Sequence, residues 1–140
     1  MEYCEIANPP VYTEEIERWT RETNADGDEM GEVISQLANN DNYLKKKAER
    51  ANQIIPVTLP ASGWSAVAPY TQTVTVKGLT AADNPLLVKV IAGGATPEQV
   101  KAYNKAFGMI DDGDTADGQA TFKCYNKKPT IDIIVGLKGV

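Results

Sequence analysis

The densest group of potential ligand side chains is the acidic segment Asp111–Gly118, which reads DDGDTADG. Oxygen-rich loops of this kind bind calcium. The EF-hand loop, however, needs Asp or Asn at its fifth position and Glu at its twelfth. A count from Asp112 places Ala116 and Lys123 at those positions. We therefore interpret the segment as a solvated hairpin loop, and we predict no metal site and no cofactor.

The residue types needed for most enzymatic sites are missing. The chain has no histidine, no phosphate-binding glycine motif and no Cys-x-x-Cys pair, which removes histidine-based catalysis and common zinc sites. Its two cysteines, Cys4 and Cys124, are far apart in the sequence and match no metal spacing. We expect both to be reduced thiols. We predict no catalytic residues and no enzyme, and a lone lysine or carboxylate site is the enzymatic alternative.

Two aromatic residues, Trp64 and Tyr70, flank a stretch of small residues and proline. Exposed aromatic rings can stack on sugar rings, so this pair is a candidate ligand contact. Large aromatics at the entrance to a strand more often belong to a core or a subunit contact. Both interpretations stay open, and the second is favoured.

The charge of the chain is uneven. Residues 1–54 hold 12 acidic and 6 basic side chains, whereas residues 55–140 hold 7 and 8, for a net charge of −5. No basic patch interleaved with aromatics occurs, so we expect no nucleic-acid partner. No apolar run approaches about 18 residues, so we expect no membrane insertion. The N-terminus carries Glu2 and Glu5, so we expect no secretion signal and production in the cytoplasm.

An apolar seam on a long helix dominates the first part of the chain. Its positions follow steps of four and three, with one acidic residue among them: Met30, Ile34, Leu37, Asp41, Leu44, Ala48 and Ala51. Such a heptad seam on a helix of about two dozen residues is typical of self-association between copies of one chain. A dimer and a trimer are both compatible with the seam. The alternative is that the helix lies on the β-rich part of its own chain.

The boundaries of this helix are marked by charge and by turn residues. Asn24–Gly27 predicts a turn, and Asp26 predicts the helix start. The run Asn39–Asn42 contains poor helix formers that could break the helix. We favour a continuous helix because the seam keeps its phase across the run. Before the helix, Tyr12–Thr23 is interpreted as an extended arm with one helical turn at most, and a full helix is the alternative.

The remaining sequence changes to strand periodicity. Strands are predicted at Ile55–Leu59, Tyr70–Val76 and Leu86–Ile91, the last of them central because both its faces are apolar. Thr96, Pro97 and Gln99 predict a capped helix that ends at Gly108. Further strand signals are a start at Met109 and Ile110, the alternating Ala120, Phe122 and Cys124, and an inward face of Ile131, Ile133, Val135 and Leu137. Together they predict four or five mostly antiparallel strands in an α+β fold: a long N-terminal helix followed by a small β domain with one helix. The predicted regions are a polar arm at 1–27, a helical oligomerisation segment at 28–54 and a β-rich head at 55–140.

Several segments resemble small phage and prophage tail-fibre or baseplate proteins. Residues 55–64 (IPVTLPASGW), 68–76 (APYTQTVTV) and 128–133 (KPTIDI) are similar to the C-terminal β module of such proteins. Residues 18–20 (RWT), 25–30 (ADGDEM) and 39–45 (NNDNYLK) resemble the part of tail-fibre and baseplate proteins near the shaft. The resemblance implies a virion structural protein of the tail tip that has no catalytic residues. Its implied partners are copies of itself, in a homotrimer, and other tail proteins.

These observations lead to one prediction and one alternative. The chain is predicted to be an oligomeric, adhesin-like tail or baseplate component that presents its β-rich head to a host-surface glycan or protein. The alternative is a monomeric carbohydrate-binding module whose helix packs on its own sheet.

Overall fold

The structure, a computed structural model, describes residues 3–23 and 26–140. The chain divides into two compact units, one up to Arg50 and one from Ala51 to Val140. The order of elements confirms the α+β class: one long helix precedes two small antiparallel sheets and a second, shorter helix. Asn24 and Ala25 of the predicted turn lie outside the described residues.

The long helix, α1 (Gly27–Asn52), is continuous through the asparagine run, which confirms the prediction of an unbroken helix. Asp26 caps its start, because the carboxylate accepts the backbone N–H of Asp28 at 2.8 Å. Asp28 and Glu29 occupy the first turn and Arg50 the last, where their charges favour the helix dipole. Residues 3–23 form neither helix nor strand, so the alternative of a helix at Tyr12–Thr23 is wrong.

The second unit contains two three-stranded sheets among its described residues. The first has the order β1 (Ile54–Leu59), β6 (Ile133–Lys138), β3 (Leu86–Lys89), and the second has the order β2 (Tyr70–Thr75), β5 (Gln119–Cys124), β4 (Asp112–Ala116). Every pairing is antiparallel, and the six strands exceed the four or five predicted. A 3-10 helix, Ala61–Gly63, links β1 to the chain before β2.

One core lies among the sheets and the second helix. It is built from alternate residues of β1, β5 and β6 together with Trp64, Leu79 and Ala106. The predicted inward face of Ile133, Val135 and Leu137 is buried as expected. Ile131 precedes the strand and is exposed.

The second helix, α2 (Pro97–Phe107), matches its sequence signals. The Thr96 hydroxyl accepts the N–H of Gln99 at 3.3 Å, and the Gln99 side-chain oxygen accepts the N–H of Thr96 at 2.8 Å. This reciprocal capping box satisfies two N–H groups that the first turn would otherwise leave open.

Three predictions for the second unit are wrong. The strand β3 is an edge strand, because β6 lies between it and β1. Its outer apolar face, which suggested a central position, is exposed at Leu86. The acidic segment is not a loop: most of it is β4, which pairs with β5 from Asp112 to Ala116. Asp117 and Gly118 form the connecting turn, and Gly118 has a φ of +73°, which only glycine adopts at low cost. Met109 and Ile110 do not begin a strand.

Candidate functional site

The predicted seam lies on the surface of α1. Met30 is 37% exposed, while Ile34, Leu37 and Leu44 are each just over 50% exposed. The remaining seam positions, Asp41, Ala48 and Ala51, are exposed as well. At about 100° per residue, all seven positions fall within roughly one third of the helix circumference. The structure therefore brings the predicted seam together as one exposed stripe.

Two adjacent asparagines of α1 hold the arm. Asn40 accepts the backbone N–H of Thr13 at 2.7 Å and donates its side-chain N–H to the carbonyl of Thr13 at 2.9 Å. Asn39 accepts the N–H of Ala7 at 2.7 Å and donates to the carbonyl of Glu5 at 3.2 Å. A side-chain amide carries both a donor and an acceptor, so it can satisfy both groups of an extended peptide backbone. We call Asn39 and Asn40 the arm clamp.

An aromatic contact adds to the arm clamp. The rings of Tyr12 and Tyr43 have centroids 5.4 Å apart and are tilted by 47°. The ammonium of Lys47 lies 5.8 Å from the Tyr43 ring centroid. At about 100° per residue, Asn39 lies roughly opposite the centre of the seam, whereas Asn40 lies about 70° from that centre and borders the seam. The arm therefore runs along one flank of the seam, while Ile34, Leu37 and Leu44 stay about half exposed.

Sequence reasoning missed the arm clamp. The run Asn39–Asn42 was interpreted through its poor helix propensity, which is a local property. The hydrogen bonds to the arm join residues 27 to 34 positions apart, and no local pattern reports them. The available signal was two adjacent amides on a helix that follows an arm containing Asn8, Pro9 and Pro10.

The two predicted aromatic contacts have different environments. Trp64 is 5% exposed and belongs to the core of the second unit, so its ring faces are covered. Tyr70 is half-buried and lies under the ammonium of Lys128, which is 5.1 Å from the ring centroid. This environment favours the core interpretation for Trp64 and leaves Tyr70 as the candidate surface residue of the pair.

The carboxylates of the acidic segment Asp111–Gly118 each have a partner in the protein, and that of Asp112 accepts the N–H of Gly113. Asp111 accepts the N–H of Tyr125 at 2.7 Å, Asp114 forms an ion pair with Lys123, and Asp117 accepts the N–H of Ala81 at 3.1 Å. The ion pair raises the pKa of Lys123, chiefly through its hydrogen bond to Asp114. Among the described residues, no group of three or more His, Cys, Asp or Glu side chains is arranged to hold a metal ion.

A search for membrane-spanning helices and comparisons with known proteins both gave negative results. In residues 3–23 and 26–140, no helix is both long and apolar enough to cross a bilayer. The chain matches no family model, no curated protein and no solved structure.

Proposed function

We propose that this protein is a structural component of a phage or prophage tail or baseplate. In this proposal, three copies assemble through the seam of α1 and present their β-rich heads for attachment to a host surface. The proposed oligomer interface is Met30, Ile34, Leu37, Asp41, Leu44, Ala48 and Ala51.

The observation that carries this proposal is that none of the described residues of the first unit is buried. No residue of α1 is buried, and the described core residues begin at Val57. A helix in water draws most of its stability from packing an apolar face rather than from propensity. A helix of 26 residues with an open apolar stripe therefore needs a partner, and another copy brings the same stripe.

The energetics favour closure of the stripe. Fully burying one leucine, isoleucine or methionine side chain gains about 1.5–3 kcal/mol. Met30, Ile34, Leu37 and Leu44 each keep a third to a half of their surface in water, so each gains roughly 1 kcal/mol on closure. Asp41 costs stability at a core position, but a polar residue there fixes register and the number of helices.

The outer face of the β1–β6–β3 sheet also carries exposed apolar side chains. Ile54 and Leu86 lie on either side of Lys138, and Ile134 lies further along β6. In this proposal the copies also make contact through these side chains.

The resemblance to tail proteins supplies the biological setting of the proposal. Three heads on one helical stem gain avidity, because the second and third contacts become intramolecular once the first has formed. The adhesive mechanism needs no catalytic group, and the host ligand is a surface glycan or protein.

A seam variant tests assembly and attachment together. Leu37→Lys places one ammonium per copy inside the proposed trimer, so we expect it to release monomers. The matched control is Asn42→Lys, which adds the same charge to the same helix away from the seam. Mass is measured by light scattering, and attachment by flow cytometry of fluorescently labelled protein on a panel of Gram-positive and Gram-negative cells.

The expected result is that Leu37→Lys loses both trimer mass and cell retention, while Asn42→Lys keeps both. The assembly proposal is wrong if the two variants have the same mass as the original chain. The attachment proposal is wrong if the original trimer is retained by none of the cells.

A further inference from the structure

A concave site of about 550 Å³ lies in the second unit. Its lining combines one aromatic residue, three lysines and an apolar wall: Tyr70, Lys105, Lys127, Lys128, Met109 and Ile131. We call it the lysine pocket. Tyr70 begins β2, Lys105 lies in the last turn of α2, and the other two lysines follow β5. Three separate segments of the chain therefore meet at this site.

The charge of the lysine pocket is opposite to that of the chain. The protein carries 19 acidic and 14 basic side chains, yet no aspartate or glutamate is among the described residues that line the pocket. Lysines 105, 127 and 128 form no ion pair within the described part of the chain. A bound anion would pair with these ammonium groups.

One of the three ammonium groups is held in place. Lys128 Nζ donates to the backbone carbonyl of Ser65 at 2.9 Å and lies 5.1 Å from the centroid of the Tyr70 ring. Both partners are neutral, so they orient the ammonium and leave its charge uncompensated. Lys105 and Lys127 are exposed and can move to meet a ligand. The end of α2 opposes anions only weakly, because the carbonyls of Asn104 and Ala106 already accept N–H groups from Gly108 and Met109.

We propose that the lysine pocket binds a phosphate group of a phosphodiester-linked polyol or glycan polymer. Lysine ammonium groups act as point charges, and the three lysines that line the site can each meet a different oxygen of one phosphate group. Met109, Ile131 and Ala102 supply apolar surface for the carbon skeleton beside the phosphate. This inference deepens the proposed attachment function by naming the class of surface ligand.

Titration calorimetry of the full chain tests the site. Glycerol 3-phosphate is the probe with a single phosphate group, and a short poly(glycerol phosphate) is the polymer probe. Glycerol and oligogalacturonate are the uncharged and the carboxylate controls. The test variant is Lys105→Gln/Lys127→Gln. The matched variant is Lys101→Gln/Lys77→Gln, which removes the same charge from exposed residues outside the pocket.

We expect both phosphate probes to bind and the test variant to weaken their binding about tenfold, which corresponds to a loss of about 1.4 kcal/mol. The matched variant should stay within twofold of the original chain. An equal loss in both variants would mean that general charge attraction, and not the pocket, binds the polymer. If oligogalacturonate binds as tightly as the phosphate probes or more tightly, the phosphate assignment is wrong. If neither phosphate probe binds, the lysine pocket is not an anion site.

The outcome is separable from that of the assembly proposal. Glycerol 3-phosphate contacts one pocket at a time, so its Kd should be unchanged in Leu37→Lys, even if that variant is monomeric. If the original chain is a trimer but does not bind the probe, only the pocket proposal is wrong. If the original chain is a monomer and binds the probe, only the assembly proposal is wrong.

Discussion

At the scale of the residue, Asn39 and Asn40 hold an arm that has no regular structure of its own. Their amides provide both donor and acceptor to the arm backbone at Ala7 and Thr13. This explains why poor helix formers occupy the middle of α1. The helix tolerates their local cost of about 0.5–0.7 kcal/mol each, since their side chains make tertiary hydrogen bonds.

Alanine substitution separates the arm clamp from helix propensity. Propensity alone predicts that Asn40→Ala and Asn42→Ala both strengthen α1, by about 0.5 kcal/mol each. The arm clamp predicts that only Asn40→Ala frees the arm, because it removes both hydrogen bonds to Thr13. Limited trypsin digestion should then cleave at Arg18 and Arg21 several times faster in Asn40→Ala than in Asn42→Ala. Equal cleavage rates in the two variants would contradict the arm clamp.

The two cysteines should differ in reactivity. Cys4 is exposed and Cys124 is buried. Burial, with a smaller contribution from the charge of Asp111, raises the pKa of the Cys124 thiol from 9.0 to about 11. At pH 8, a thiol-specific chromogenic reagent should therefore titrate one thiol per native chain and two after unfolding.

The same shift predicts a pH dependence of stability. The folded state holds the Cys124 proton more tightly than the unfolded state does. Its contribution is complete below the unfolded pKa of 9.0 and is lost as pH rises towards 11. The Cys124→Ser chain should lack this part of the loss of stability at alkaline pH in denaturant titrations.

For the thiol titration, two reactive thiols in the native protein would contradict the burial of Cys124.

At the scale of the element, local signals predicted what local interactions determine. The capping box of α2 and the alternation of β5 and β6 could be predicted from the sequence, because each depends on neighbours a few positions away. The strand β4 could not be predicted in this way. Its acidic composition is typical of a loop, and only the cross-strand partners in β5 and the Asp117–Gly118 turn make it a strand. The prediction that β3 is a central strand was wrong. It rested on the apolar residues on both faces of the strand, but only one face is covered.

Gly136 in the central strand β6 makes a specific prediction about sheet packing. A Cβ at this position would lie 2.5 Å from a methyl of Ile54, 2.7 Å from one of Val88 and 3.0 Å from one of Val90. These methyls belong to stiff β-branched side chains. We therefore expect Gly136→Ala to lower the free energy of unfolding by about 1–3 kcal/mol.

The matched control for the sheet is Gly93→Ala. Nothing lies within 4 Å of a Cβ built at Gly93, so its effect should stay within about 0.5 kcal/mol. Urea titrations of both variants make the comparison. Equal stability of the two variants would show that the sheet accommodates a methyl at Gly136.

At the scale of the whole molecule, the two units differ in how many of their side chains are buried. The second unit has a core of its own, whereas none of the described residues of α1 is buried. The positions of the seam were predictable, because heptad spacing is a local pattern. The lysine pocket was not, because Tyr70, Lys105 and Lys127 are far apart in the sequence and meet only through the sheet pairing and the placement of α2.

The solution mass of the unmodified chain tests the central claim most directly. Multi-angle light scattering at micromolar concentration should give about three times the chain mass of 15.2 kDa, because closure of the apolar seam on α1 requires other copies. A stable species of 15.2 kDa at that concentration would contradict the proposed trimer and with it the avidity mechanism.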